Sequence, residues 1–163
     1  MKRHRPSGFV PAALLFCAFA IPAAAGPLPA LTEKLETWLD ANAPWPRRDR
    51  PPAIRVLPPA LAAQPDAAAR HDGRLRGLYD ADKQTITLLA PWNPNDPTDQ
   101  SVLLHELAHH RQAPFHWYCP GAEERAAYRL QADWAAENGA HPKIDWFRVT
   151  LAAGCTPRDI HPD

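Results

Sequence analysis

The sequence predicts a single α+β domain with a small antiparallel or mixed sheet. A chain of 163 residues can bury one hydrophobic core but not two, and its 45% hydrophobic and 22% charged content is ordinary for a globular protein. Segments with apolar residues at helical spacing and short segments that alternate as strands both occur along it. The 20 prolines predict long irregular connections between these elements.

The N-terminal 25 residues have the pattern of a cleavable signal peptide. A basic start and an apolar stretch over residues 9–21 precede small residues that end at Ala25, after which cleavage is expected. The apolar stretch is shorter than the ~20 residues that span a bilayer, and no later segment could cross one. We therefore expect residues 26–163 to form a periplasmic or secreted domain.

The charge of the mature chain argues against nucleic acid as a partner. Three of the 18 basic residues lie in the leader, so 15 remain beside 18 acidic residues, which leaves a net charge of −3. No run of basic side chains could follow a phosphate backbone.

Apolar periodicity predicts regular elements on both sides of the central part of the chain. These are a helix over residues 28–43, a strand over 53–57, a hairpin with strands 77–80 and 85–89, a helix over 122–139 and a helical piece over 144–152. The strand at 85–89 is expected either to be an exposed edge, along which an extended peptide pairs, or to be protected by its neighbours.

A further helix in the centre carries the chemistry. Thr98 or Asp99 is expected to cap it. It contains H-E-x-x-H at His105, Glu106 and His109. Two histidines four positions apart lie on one helical face, where both imidazoles can bind one Zn²⁺ ion. Glu106 can reach a water molecule held by that ion and take its proton.

A catalytic zinc site needs a third protein ligand and leaves one position for water. A metzincin would have glycine and histidine where this chain has Gln112 and Phe115, so that class is excluded. A gluzincin takes a glutamate from a following helix, and Glu123 and Glu124 both qualify. Glu124 lies on the flank of the apolar face, where a ligand lining a cleft belongs, but helical phase alone leaves both residues open.

These motifs resemble those of a small group of exported bacterial proteins, known as a domain of unknown function and classed with the gluzincin zinc peptidases. The resemblance rests on H-E-L-x-H-H at residues 105–110, Cys119-Pro120, and Glu124-x-x-Ala127-Tyr128 with Gln131 and Trp134. It covers residues 100–140 and implies a zincin-like domain. It also implies His105, His109 and Glu124 as zinc ligands and Glu106 as general base.

The expected activity is hydrolysis of a peptide or protein substrate by a zinc-activated water. Glu106 would accept the proton of that water. Tyr128, one turn after Glu124, would either stabilise the oxyanion or pack in the core beside the site. The alternative is a non-catalytic, zinc-stabilised module that binds a peptide or an envelope protein in the same cleft. An intact Glu106 favours the enzyme, whereas the small size of the chain favours the module.

The mature chain has two cysteines, Cys119 and Cys155. An even pair in an exported protein predicts one disulfide between them. Cys119 as a zinc ligand is the competing interpretation, which an oxidising compartment and a nearby carboxylate both disfavour.

Overall fold

The computed structural model describes residues 27–58, 75–119 and 121–155. These residues form helices α1 (Pro27–Asn42), α2 (Pro97–Gln112), α3 (Glu124–Glu137) and α4 (Trp146–Ala153), and strands β1 (Ala53–Leu57), β2 (Gly77–Asp80) and β3 (Thr85–Leu89). The predicted α+β class is therefore confirmed. The predicted signal peptide lies outside the described residues. Within those residues, no helix has the length and apolar character needed to traverse a bilayer.

The three strands form a mixed sheet in the order β1-β3-β2. Strand β1 runs parallel to β3 with Ala53 opposite Thr85, and β2 runs antiparallel to it with Gly77 opposite Leu88. Of the two alternatives for residues 85–89, the exposed edge is wrong, because β3 is the central strand and is buried from Ile86 to Leu89. Strands β1 and β2 pair with its two edges, and its hydrophobic Ile86 and Leu88 belong to the core. Strand β2 is an edge of the sheet instead.

Helix α2 is the centre of the domain. Every residue from Ser101 to Gln112 is buried, because α1, the sheet and α3 pack around it. Its N-cap is Asp96, whose side chain accepts the Thr98 N–H at 2.8 Å, and Pro97 occupies the first helical position. This corrects the predicted cap at Thr98 or Asp99. The Asp99 carboxylate is used elsewhere, since it pairs with Arg76 at 2.5 Å.

The hydrophobic core forms between α2 and the elements around it. Its largest members are Leu31, Leu35 and Leu39 of α1, Ile86 and Leu88 of β3, Leu103, Leu104 and Leu107 of α2, and Leu130 and Trp134 of α3. The spacing of three or four residues on each helix places these side chains on one face. Burial of this set holds three helices and the sheet against one another.

A buried ion pair joins α1 to the end of α2. Arg111, which is 1% exposed, donates to the carboxylate of Glu36, which is 6% exposed. It also donates to the carboxylate of Asp40 at 2.6 Å and to the backbone oxygen of Trp45 at 3.2 Å. Partners on several sides satisfy the guanidinium, which is the condition for keeping this charge out of water.

A disulfide joins the chain before α3 to the chain after α4. Cys119 and Cys155 are bonded at 2.06 Å with their Cα atoms 5.9 Å apart, which confirms the predicted pairing. Asp145 caps α4 through the Arg148 N–H at 3.1 Å, and α4 packs against α3. The disulfide thus holds the C-terminal helix beside the face of the domain on which the site lies.

Candidate metal centre

His105 and His109 project from adjacent turns of α2 to one point. Their Nε2 atoms lie 2.9 Å apart, and both residues are buried, with 7% and 8% of their surface exposed. The helical repeat brings positions i and i+4 together, so this pair follows directly from the sequence.

Glu124, the first residue of α3, faces the histidine pair. Its Oε2 atom lies 3.4 Å from Nε2 of His105 and 3.6 Å from Nε2 of His109. The start of α3 is held there by Gln112, a fully buried residue at the end of α2, whose Nε2 donates to the backbone oxygen of Glu123 at 3.0 Å. Among the described residues, His105, His109 and Glu124 form a possible metal-binding triad.

Glu123 lies near the other ring nitrogen of His109. Its Oε2 atom is 3.9 Å from Nδ1 of His109, whereas Glu124 faces the Nε2 atom of that ring. The sequence left these two consecutive glutamates as alternatives for one ligand position. In the structure they lie near different nitrogens of the His109 ring. A carboxylate at the outer nitrogen of a ligating histidine orients the ring and raises its basicity.

The charges of the triad stabilise one another in a buried site. Burial opposes ionisation of Glu124, but the neighbouring rings of His105 and His109 hold its pKa well below the usual range. Burial would likewise lower the pKa of His109, yet the Glu124 carboxylate raises it to about 9. Oε2 of Glu124 is buried and lacks a hydrogen bond from the described residues, so it is an anionic atom available to a cation.

Glu106 is buried beside the triad and is not part of it. Its side chain packs so closely on Gly77 of β2 that a Cβ atom at position 77 would lie 2.6 Å from Oε1. The backbone of Tyr79, two positions further along β2, is close enough to oppose the rise in the pKa of this carboxyl group. Burial raises the pKa of Glu106 to about 8, with the nearby charge of His109 opposing the increase. Only glycine at position 77 leaves room for this carboxylate.

Tyr128 covers the first histidine of the pair. Its ring centroid lies 4.4 Å from that of His105, and it follows Glu124 by one turn of α3. Burial, together with the negative charges of Glu124 and Glu106, raises the pKa of Tyr128 to about 12. The hydroxyl is therefore protonated at neutral pH and can donate a hydrogen bond.

All of these side chains line one cleft of about 1130 Å³. Strand β2 forms one wall, and α3 forms another with a C-terminal segment that includes Pro142, Ile144 and Val149. The sequence predicted β2 and the C-terminal helical piece as elements but did not place either of them at the site, because neither carries a motif. The predicted disulfide was the one signal that linked the C-terminal segment to the site.

The fold and the site together define a small α+β domain with a possible metal-binding triad on two packed helices. The chain belongs to the family described as Domain of unknown function (DUF6647), whose profile matches residues 24–163. No curated protein and no solved structure matches the chain significantly.

Proposed function

We propose that this chain is an exported zinc-dependent metallopeptidase of the gluzincin type that hydrolyses peptide bonds in a peptide or protein substrate. The observation that carries the proposal is the convergence of His105, His109 and Glu124 beside Glu106 on the wall of one cleft. Two imidazoles, one carboxylate and a separate carboxylate base are the complement that this chemistry requires.

The dimensions of the triad fit zinc. Tetrahedral zinc with bonds of about 2.0–2.1 Å separates its ligand atoms by about 3.3 Å. The three candidate atoms of His105, His109 and Glu124 are separated by 2.9, 3.4 and 3.6 Å. These separations bracket the ideal value, so one ion can contact all three atoms. When bound there, zinc would supply a Lewis acid that activates water and polarises a peptide carbonyl.

Glu106 is the residue that would move the proton. It lies on the same helix as the two histidines, is 6% exposed and lines the cleft. The raised pKa of Glu106 gives the carboxylate enough proton affinity to take a proton from the attacking water and return it to the leaving amine. A metal site that only stabilises the fold would leave this buried carboxylate without a role.

Tyr128 is the candidate donor to the oxyanion. Its protonated hydroxyl lies in the same cleft, and its ring is fixed against His105. A donor held in place before the reaction stabilises negative charge that develops on a carbonyl oxygen.

The substrate would lie along β2 rather than β3, since β2 is both an edge of the sheet and a wall of the cleft. The disulfide between Cys119 and Cys155 supports export, because such bonds persist in oxidising compartments.

The test is cleavage of a mixed peptide library by the purified mature protein, loaded with zinc and compared with a sample treated with chelator. We expect cleavage that the chelator abolishes and zinc restores. The variant Glu106→Gln should retain zinc and lose roughly 10²–10⁴-fold in rate, which is the cost of a lost general base. If Glu106→Gln cleaves as fast as the wild type, the peptidase proposal fails and a zinc-stabilised binding module becomes the better explanation.

A further inference from the structure

We infer that Tyr79 and His110 act together as a positioning pair that holds the backbone of β2 against Glu106. The inference rests on the proposed function, since it concerns the base of that reaction. His110 follows the ligand His109 in the chain but points away from the triad, and no step of the mechanism uses it. His110 nevertheless contacts Tyr79 of β2, and β2 packs against Glu106 in the site.

The hydrogen bonds around His110 determine which nitrogen carries the proton. Nε2 lies 3.0 Å from the backbone oxygen of Arg50, which can only accept, so Nε2 donates. Nδ1 lies 3.0 Å from the hydroxyl of Tyr79 and 3.4 Å from Nη1 of Arg48, which can only donate. Nδ1 is therefore an acceptor, and the Tyr79 hydroxyl donates to it.

Arg48 reinforces this contact from outside. Its Nη1 atom donates to the hydroxyl oxygen of Tyr79 at 3.2 Å and approaches the backbone oxygen of His110 at 3.4 Å. The rings of Tyr79 and His110 meet edge to face with centroids 5.4 Å apart. The Tyr79 side chain is thus held by α2 itself, one position after the second histidine of the triad.

The backbone of Tyr79 faces Glu106. Leu89 N–H donates to Arg76 oxygen at 2.9 Å, and these residues are opposite in the register, so they form a hydrogen-bonded pair of the antiparallel ladder. Because such pairs alternate, the N–H of Tyr79 points away from β3. It lies on the same edge of β2 as Gly77, which packs against the Glu106 carboxylate, and its proximity opposes the rise in the pKa of that carboxylate.

The side chain and the backbone of Tyr79 therefore lie against different turns of α2. Its hydroxyl contacts His110, and its backbone N–H lies on the edge of β2 that packs against Glu106, one turn earlier on the same helix. Two positions before it, Gly77 sits against the Glu106 side chain with no space for a Cβ atom. A shift of β2 along α2 would move the N–H and Gly77 together, so the side-chain anchor determines where the base is held.

The test compares two variants that each remove one partly buried hydroxyl from the sheet. Tyr79→Phe keeps the ring and removes the hydroxyl that donates to His110 and accepts from Arg48. The matched control, Thr87→Val, removes the hydroxyl that accepts from Arg55 Nε at 3.0 Å on the neighbouring strand, away from Glu106. Urea unfolding measures the stability of both variants. A difference in exchange or rate that exceeds the difference in stability then reports on the position of β2 rather than on folding.

The first readout is hydrogen exchange of the backbone N–H at position 79, measured by NMR in the zinc-loaded protein. We expect this edge N–H to be protected in the wild type and in Thr87→Val. In Tyr79→Phe and in Glu106→Ala it should exchange at least about tenfold faster, because either its anchor or the carboxylate beside it is gone. Exchange at position 79 that is the same in Tyr79→Phe as in the control would overturn the inference.

The second readout is kinetic. With a peptide that the wild type cleaves, Tyr79→Phe should lower kcat about tenfold while KM and zinc content stay at the wild-type values, since only the base is misplaced. An unchanged kcat would also overturn the inference. If the wild type cleaves nothing, the proposed function is wrong, and the exchange measurement alone then decides whether Tyr79 and His110 hold β2 against Glu106.

Discussion

Oε2 of Glu124 lies 3.4 Å from Nε2 of His105, across the contact between two helices that meet at their site-bearing ends. The preceding residue, Glu123, has its Oε2 atom 3.9 Å from Nδ1 of His109, the other nitrogen of that ring. The packing of α3 on α2 therefore assembles the triad, and each ligand makes a testable contribution.

The first prediction concerns metal stoichiometry. The mature protein should bind close to one zinc ion per chain, and His105→Ala or His109→Ala should abolish this, because each removes one of three ligand atoms. Zinc is measured by mass spectrometry after dialysis. His141→Ala is a suitable control, since His141 is exposed and outside the triad. Stoichiometric zinc in the double variant of His105 and His109 would refute the metal site.

The second prediction separates the two consecutive glutamates. Glu124→Ala should weaken zinc binding by more than the roughly 10–100-fold that an outer partner contributes, because it removes a ligand oxygen. Glu123→Gln should weaken it by no more than about tenfold, because its carboxylate is 3.9 Å from the outer nitrogen of His109.

Competition with a chromophoric chelator measures both dissociation constants without any substrate. A larger loss in Glu123→Gln than in Glu124→Ala would reverse the two roles and would show that α3 packs with a different rotation.

The third prediction concerns the ion pair between α1 and α2. Arg111→Met should destabilise the protein by about 3–5 kcal/mol, because Glu36 would keep a buried charge without its main partner. The double variant Arg111→Met with Glu36→Met should recover most of that loss. Urea unfolding of the oxidised protein measures both. If the double variant is no more stable than Arg111→Met, an unpaired Glu36 charge is not the cause of the loss.

The fourth prediction concerns the disulfide. Protein from an oxidising compartment, unfolded without reductant, should contain no free thiol, because Cys119 and Cys155 are bonded. The 36-residue separation predicts a loss of about 3–4 kcal/mol when both are changed to serine. Thiol titration and urea unfolding check the two statements, and two free thiols per chain would contradict the first. Since α4 forms part of the cleft wall, we expect zinc to be retained in the serine variant while the cleft loosens.

The sequence alone determined the features that depend on near neighbours in the chain. Strands at residues 53–57, 77–80 and 85–89 were predicted with the bounds that the structure has, because alternation of side chains is a local property. The same holds for the His105–His109 pair, since the helical repeat brings i and i+4 together wherever the helix lies. The disulfide could also be predicted from the sequence, because only Cys119 and Cys155 follow the predicted signal peptide.

Only the tertiary structure decided the features that depend on how elements pack. The hydrophobic pattern of residues 85–89 is compatible with an edge or a centre, and the addition of β1 on one side and β2 on the other made β3 central. Whether Glu123 or Glu124 faces the histidines depends on the rotation of α3, which the bond from Gln112 helps to hold. The burial of Glu106 against Gly77 likewise requires β2 to lie on α2, a contact between segments that no local pattern relates.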